Sequence, residues 1–142
     1  IYNYSTDAKT AEIIEIISQY DVVIDCTDNY KTRFKVADAC QKYMKPYILG
    51  TVRAYEGQVT TILPSTSKIK NPKIRNLFDE ENISNIDDDC SDIGVLSVTT
   101  TLVGTIMASE CLKLILNMDE VLVGKLLMVD LLNLKFETIK YK

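Results

Sequence analysis

The sequence predicts an α/β fold organised around a parallel sheet, and three observations carry the prediction. The run DVVIDC (residues 21–26) is apolar at successive positions, as strands covered on both faces tend to be. Helical patterns stand on either side of it, and a second apolar run, PYILGTV, follows. Helix–strand–helix–strand order of this kind sets the crossovers outside a parallel sheet.

The elements follow in order. TDAKTAEIIEIISQ reads as an amphipathic helix, with Ala8, Ala11, Ile14 and Ile17 at helical spacing. After the DVVIDC strand, Asp28 or Asn29 can cap the next helix by accepting a free backbone N–H. That helix carries Val36, Ala37, Cys40 and Met44 on one face and ends before Pro46. PYILGTV and GQVTTILP are the next two strands, and YEG between them reads as a tight turn with Gly57 at positive φ.

Residues 65–89 are rich in Pro, Asn, Ser and Lys and end in an acidic run, Asp87 to Asp89. They are expected to form a long mobile crossover loop. From Gly94 to Met118 the pattern is a long helix, apolar almost all round, with its charges confined to Glu110 and Lys113. Such a helix is expected to be buried on more than one side, in a subunit interface or at the centre of a core. Gly104 and Ala108 would admit a close backbone. KLLMVDLLN and KFETIKY close the chain as two strands, with a hairpin turn near Leu132 and Asn133.

At 142 residues and 46% hydrophobic, the chain suits one core, so residues 1–142 are read as a single domain. A net charge of -4 argues against a nucleic-acid partner. No apolar run approaches the length of a membrane span, and the polar opening residues lack a signal-peptide layout. Cys26, Cys40, Cys90 and Cys111 form no CxxC pair, and the chain has no histidine. A zinc cage and a disulfide framework are therefore not expected, and the thiols fit a cytoplasmic protein.

All five glycines are isolated, so neither GxGxxG nor GxxxxGK[ST] occurs. The chain opens inside an α/β pattern and is expected to be the latter part of a longer one. Organellar targeting stays open for that reason.

Two places carry chemistry. Ligands of open α/β sheets sit outside the carboxyl ends of the strands, where Asp25 and Asp28 fall, with Arg33 one helical turn on. A carboxylate there suits Mg²⁺. On spacing alone, capping and ion pairing are favoured over catalysis. Cys90, in DDDCSDIGV, precedes a predicted helix, whose dipole favours a thiolate; the three aspartates before it oppose that.

DVVIDCTDNYKTRF followed by DACQKYMKPYILGTVRAYEGQVTTILP resembles the second half of the ThiF/MoeB/HesA family, bacterial relatives of ubiquitin-activating (E1) enzymes. CSDIGV is similar to the family's C-x-x-A-G-V stretch, and LVGKLLMVDLLNLKFETIK to its closing segment. The resemblance implies a Rossmann-like E1/ThiF-type fold, parallel strands plus an antiparallel C-terminal part, with the nucleotide-loop half missing. It implies Mg-ATP-dependent adenylation of the C-terminal glycine of a Gly-Gly-ending ubiquitin-like or sulfur-carrier protein. Asp28 would bind Mg-ATP, Asp25 and Asn29 would shape that pocket, and Arg33 would be structural or near the nucleotide. Glu56, Gly57 and Gln58 would meet the carrier's tail. Cys90 would take the activated carrier as a thioester or enter persulfide chemistry. A homodimer is implied, since the family completes nucleotide sites across one.

The departures matter too. Lys73 and Asn76 stand where the family carries the first cysteine pair of a structural zinc site, so no zinc is expected. Ile93 replaces the usual small residue before Gly94. Without the nucleotide loop this chain is not expected to adenylate alone. The competing readings are an E1-like scaffold with reduced catalysis and, less well supported by the EGQ block, a plain dinucleotide-binding domain. Thiamin, molybdopterin, tRNA thiolation and protein conjugation all stay open as pathways.

Overall fold

The computed structural model describes residues 15–80 and 94–142. Ala8, Ala11, Ile14, the acidic run and Cys90 lie outside those residues. The described elements are β1 (Val23–Asp25), α1 (Tyr30–Lys42), β2 (Tyr47–Arg53), β3 (Glu56–Ile62), a 3-10 turn (Ile74–Asn76), α2 (Ser97–Ile115), β4 (Lys125–Asp130) and β5 (Lys135–Lys140). They build one five-stranded sheet whose spatial order follows the chain, β1 to β5.

β1 and β2 are parallel, with Asp25 opposite Leu49, and α1 is the crossover that a parallel pair requires. The remaining three pairings are antiparallel. A parallel start with an antiparallel C-terminal part is therefore the observed arrangement.

Strand alternation divides the core into two layers. Tyr47, Leu49 and Ile62 meet Phe34, Val36, Ala39 and Cys40 of α1, with Ile17 and Ile74 beside them. Ile48 and Val59 meet Val103 and Met107 of α2 on the opposite face. Both helices end in a left-handed residue that is not glycine. At the end of α1 Met44 has φ 56°, with Lys45 N–H bonded to the Cys40 carbonyl at 2.8 Å. At the end of α2 Asn117 has φ 52°, with Met118 N–H bonded to the Lys113 carbonyl at 2.9 Å. These are the back-bonds of a Schellman ending. Met44 is thus exposed just past the helix instead of completing its buried face, because the chain has already turned toward Pro46.

One further expectation is corrected. The β2–β3 turn is Ala54–Tyr55, closed by Arg53 opposite Glu56. The positive φ, 48°, belongs to Ala54, while Gly57 is already in the strand opposite Val52. Gly57 is needed for space: a Cβ there would lie 2.4 Å from Val103 Cγ2.

Among the described residues α2 is covered on one face, through Thr99, Val103, Met107 and Glu110 against β2 and β3. Val98, Leu112, Ile115 and Leu116 are exposed. By length and composition alone α2 could cross a membrane. Its inner face nevertheless packs on the sheet through two polar residues, as a sheet-covering helix can.

Residues 65–80 hold little regular structure, yet they are tied down. Gln41 bonds the Ser65 backbone in both directions at 2.9 Å. Arg75 pairs with Asp38 at 2.6 Å and Glu80 at 2.6 Å, with its guanidinium over the Phe34 ring. Buried Ile74 anchors the 3-10 turn to α1. Asn76 closes that turn by accepting the Lys73 N–H at 2.7 Å.

Candidate functional site at the carboxyl end of the sheet

The corner after β1 is built from its own polar side chains. Asp25 is 3% exposed and accepts two hydrogen bonds, from the Tyr47 hydroxyl at 2.5 Å and the Thr27 N–H at 2.8 Å. Buried carboxylates persist when so partnered. Arg33, also buried, donates Nε and Nη2 to the Thr27 carbonyl at 3.1 and 2.6 Å and lies over the Tyr30 ring. The corner's backbone is therefore held from both sides, by Asp25 below and Arg33 above.

Asn29, not Asp28, caps α1: its side chain accepts the Thr32 N–H at 2.8 Å. Its amide also donates to Asp28 at 3.1 Å. Asp28 is left exposed at the carboxyl end of β1 and the amino end of α1. The buried Thr27 hydroxyl has no hydrogen-bond partner among the described residues. The exposed Asp28 carboxylate is the kind of hard oxygen ligand that magnesium takes.

The thiols nearby are held protonated. Cys26 is exposed, but partial burial, followed by the Asp25 charge, raises its pKa. Cys40 is buried in the core and pushed up to about 12 by burial first and the Asp25 charge second. Neither is an activated nucleophile.

The second group, Glu56, Gly57 and Gln58, starts β3. Because β1 and β2 run parallel, the corner and the β2–β3 turn lie at the same end of the sheet. Glu56 is exposed and sits between Arg53 and Asp130 in register; Gly57 is buried beneath α2; Gln58 lies opposite Thr51 and Met128. The start of α2 reaches this end too, since Val95 bridges to Ala54. Asp25, Asp28, Asn29, Arg33 and residues 56–58 are thus gathered at one edge, whereas Cys90 falls outside the described residues.

Sequence reasoning passed over three residues here. Tyr47 holds Asp25, and its only signal was strand alternation. Thr99 donates to the Ala54 carbonyl at 2.8 Å. Glu110, 1% exposed, accepts from Thr61 Oγ1 and Leu122 N–H, both at 2.7 Å, and pairs with Lys113. Among the described residues no cluster of three or more His, Cys, Asp or Glu side chains could hold a metal ion.

Comparison with known proteins agrees with this architecture. The chain is 36% identical over 132 residues to the SAMP-activating enzyme E1 of Haloferax volcanii, covering 93% of this chain and 47% of that one. It is 36% identical over 138 residues to a probable molybdopterin-synthase adenylyltransferase of Porphyra purpurea, covering 96% and 35%. The sulfur carrier protein adenylyltransferase of Thermus thermophilus is 33% identical, with 94% and 49% covered. The chain therefore spans between about a third and a half of the length of these relatives. Among solved structures, MccB of E. coli in its complex with succinimide superposes with a TM-score of 0.70 at 12% identity, covering 95% of this chain and 40% of that one. PaaA gives 0.69 at 13% identity, covering 96% and 40%. The ThiF family matches residues 1–142, and the chain belongs to that family.

Proposed function

We propose that this chain forms one wall of the Mg-ATP site of an enzyme that adenylates the C-terminal glycine of a ubiquitin-like sulfur carrier or modifier. The observation that carries the reading is the division of labour in the corner. Asp25 and Arg33 are consumed in holding its backbone, and Asp28 is left exposed at the strand end. Family membership and the relatives' names support the reaction class.

Mg-ATP, when bound, supplies the adenylyl group that makes the carrier's carboxylate electrophilic. Asp28 would hold the magnesium, Asn29 fixes the Asp28 side chain and the start of α1, and Asp25 with Arg33 keeps the corner rigid. Glu56, Gly57 and Gln58 would meet a tail ending in Gly-Gly. Cys90 would be the second nucleophile, receiving the acyl group as a thioester with loss of AMP. A homodimer belongs to the same reading, supported by exposed Val98, Leu112, Ile115 and Leu116 on the outer face of α2.

The test uses the intact protein that contains this chain. With a Gly-Gly-ending carrier it should catalyse ATP–pyrophosphate exchange, and Asp28→Ala should lower that rate on the order of a hundredfold, as loss of one charge-stabilising group does. Absence of exchange with every such carrier would leave the scaffold reading in its place. A reducible carrier adduct that persists in Cys90→Ala would remove the role given to Cys90.

A further inference from the structure

The β2–β3 turn is held by the start of α2 through both backbone groups of a single residue. Ala54 N–H donates to the Gly94 carbonyl at 3.3 Å, and the Ala54 carbonyl accepts from Thr99 Oγ1 at 2.8 Å. Ala54 adopts φ 48°, a left-handed conformation that alanine seldom keeps without support. Thr99 is fully buried, and its methyl group faces Gly57, 3.7 Å from where a Cβ would stand. One side chain thus touches the turn and the strand start that carries Glu56, Gly57 and Gln58. On the far side the Tyr55 carbonyl is bonded by Leu131 N–H at 3.0 Å, so the turn is clamped between α2 and the end of β4.

We propose that Thr99 is a positioning residue for the carrier's tail. Its hydroxyl holds Ala54 in the left-handed conformation and so fixes how the strand start at Glu56–Gln58 is presented. This rests on the reading of residues 56–58 as the tail's entry. Thr99 itself need not touch the carrier. The hydroxyl is what matters, because a buried β-branched residue of the same shape would keep the packing on Gly57 and lose only the hydrogen bond to the turn.

The experiment compares Thr99→Val with Thr99→Ser in the intact protein. Thr99→Val should raise the KM for a Gly-Gly-ending carrier about fivefold, within the range one hydrogen bond provides. The KM for ATP and kcat should stay unchanged, and Thr99→Ser should return the carrier KM to near wild type. Ala54→Gly gives a second route: glycine keeps the left-handed conformation without support, so adding Ala54→Gly to Thr99→Val should bring the carrier KM back toward wild type. A carrier KM within twofold of wild type in Thr99→Val would overturn the proposal, as would equal losses in Thr99→Val and Thr99→Ser, or a Thr99→Val/Ala54→Gly double variant no better than Thr99→Val. Amide hydrogen exchange separates the rigidity of the turn from the binding of the carrier. Exchange at residues 54–56, measured without carrier, should be about fivefold faster in Thr99→Val and restored in Thr99→Ser. Unchanged amide exchange in Thr99→Val would sink the latch, whereas a wild-type protein inactive with every carrier would sink only the functional reading.

Discussion

Tyr47 donates its hydroxyl hydrogen to Asp25 at 2.5 Å, joining two parallel strands on the face covered by α1. The two residues are diagonal neighbours, since Asp25 stands opposite Leu49 and Tyr47 opposite Val23. Asp25 spends its other oxygen on the Thr27 N–H. The more deeply buried acid of the corner is therefore the fastening, and Asp28 is the exposed one.

Removing the Tyr47 hydroxyl should show this directly. Tyr47→Phe leaves a buried carboxylate oxygen without its donor, at a cost of about 1–3 kcal/mol. Urea denaturation of the intact protein measures it. A change under about 0.5 kcal/mol, the level of an ordinary surface substitution, would mean that Asp25 does not depend on this bond.

Alkaline pH should weaken the same layer. Burial and the Asp25 charge push the Cys40 thiol up to about 12 from 9.0, and they raise the Tyr47 phenol as well. In both the fold favours the protonated form, so the stability linked to them is fully present below the unfolded pKa and declines above it. For Cys40 the decline runs from pH 9 to about 12. Cys40→Ala should flatten the pH dependence of the unfolding midpoint across that window, whatever its effect at neutral pH.

Glu110 offers a cleaner contrast. Thr61 Oγ1 and Leu122 N–H both bond the same carboxylate oxygen, and the other oxygen pairs with Lys113. Glu110→Gln can keep one oxygen for both donors and should cost about 1 kcal/mol, one hydrogen bond's worth. Glu110→Ala strands all three partners and should cost about 3–5 kcal/mol, the range for breaking a buried ion pair. Similar midpoints for the two variants in chemical denaturation would argue against this network.

Two glycines lie beneath α2, and they should differ in tolerance. A Cβ on Gly57 would meet Val103 Cγ2 at 2.4 Å, a branched side chain with little rotamer freedom. On Gly50 the nearest atom would be Met107 Sδ at 2.2 Å, on a side chain that can swing. Gly57→Ala should destabilise by about 1–3 kcal/mol, as overpacking does. Gly50→Ala should cost less, and thermal melting of the two variants would show the order.

What could be read from the sequence was what depends on near neighbours. Asn29 caps a helix three residues on, and the strands carry their own alternation, so the corner and the sheet were visible in outline. Glu110 was read as one of the few charges on an apolar helix because its partners, Thr61 and Leu122, are distant in the chain. Arg33 was read as structural or near the nucleotide, with no partner named. It braces the Thr27 carbonyl, six residues back, a pairing that exists only once the corner has folded. The apolar outer face of α2 was read as belonging to a subunit interface or a core, and among the described residues the face that touches β2 and β3 is the covered one.

The sheet's strand order has a consequence for how the molecule comes together. Because the strands lie side by side in chain order, two of the four pairings close tight hairpins, β1 with β2 spans one helix, and β3 with β4 spans the long interval from Ile62 to Lys125. Loop-closure entropy makes that pairing the late event. Assembly is therefore expected to begin with β1, α1, β2 and β3, and to finish when the β4–β5 hairpin docks. Truncating Val129, buried at that seam, should speed unfolding and leave the refolding rate nearly unchanged; a slowed refolding limb in stopped-flow measurements of Val129→Ala would reverse the order.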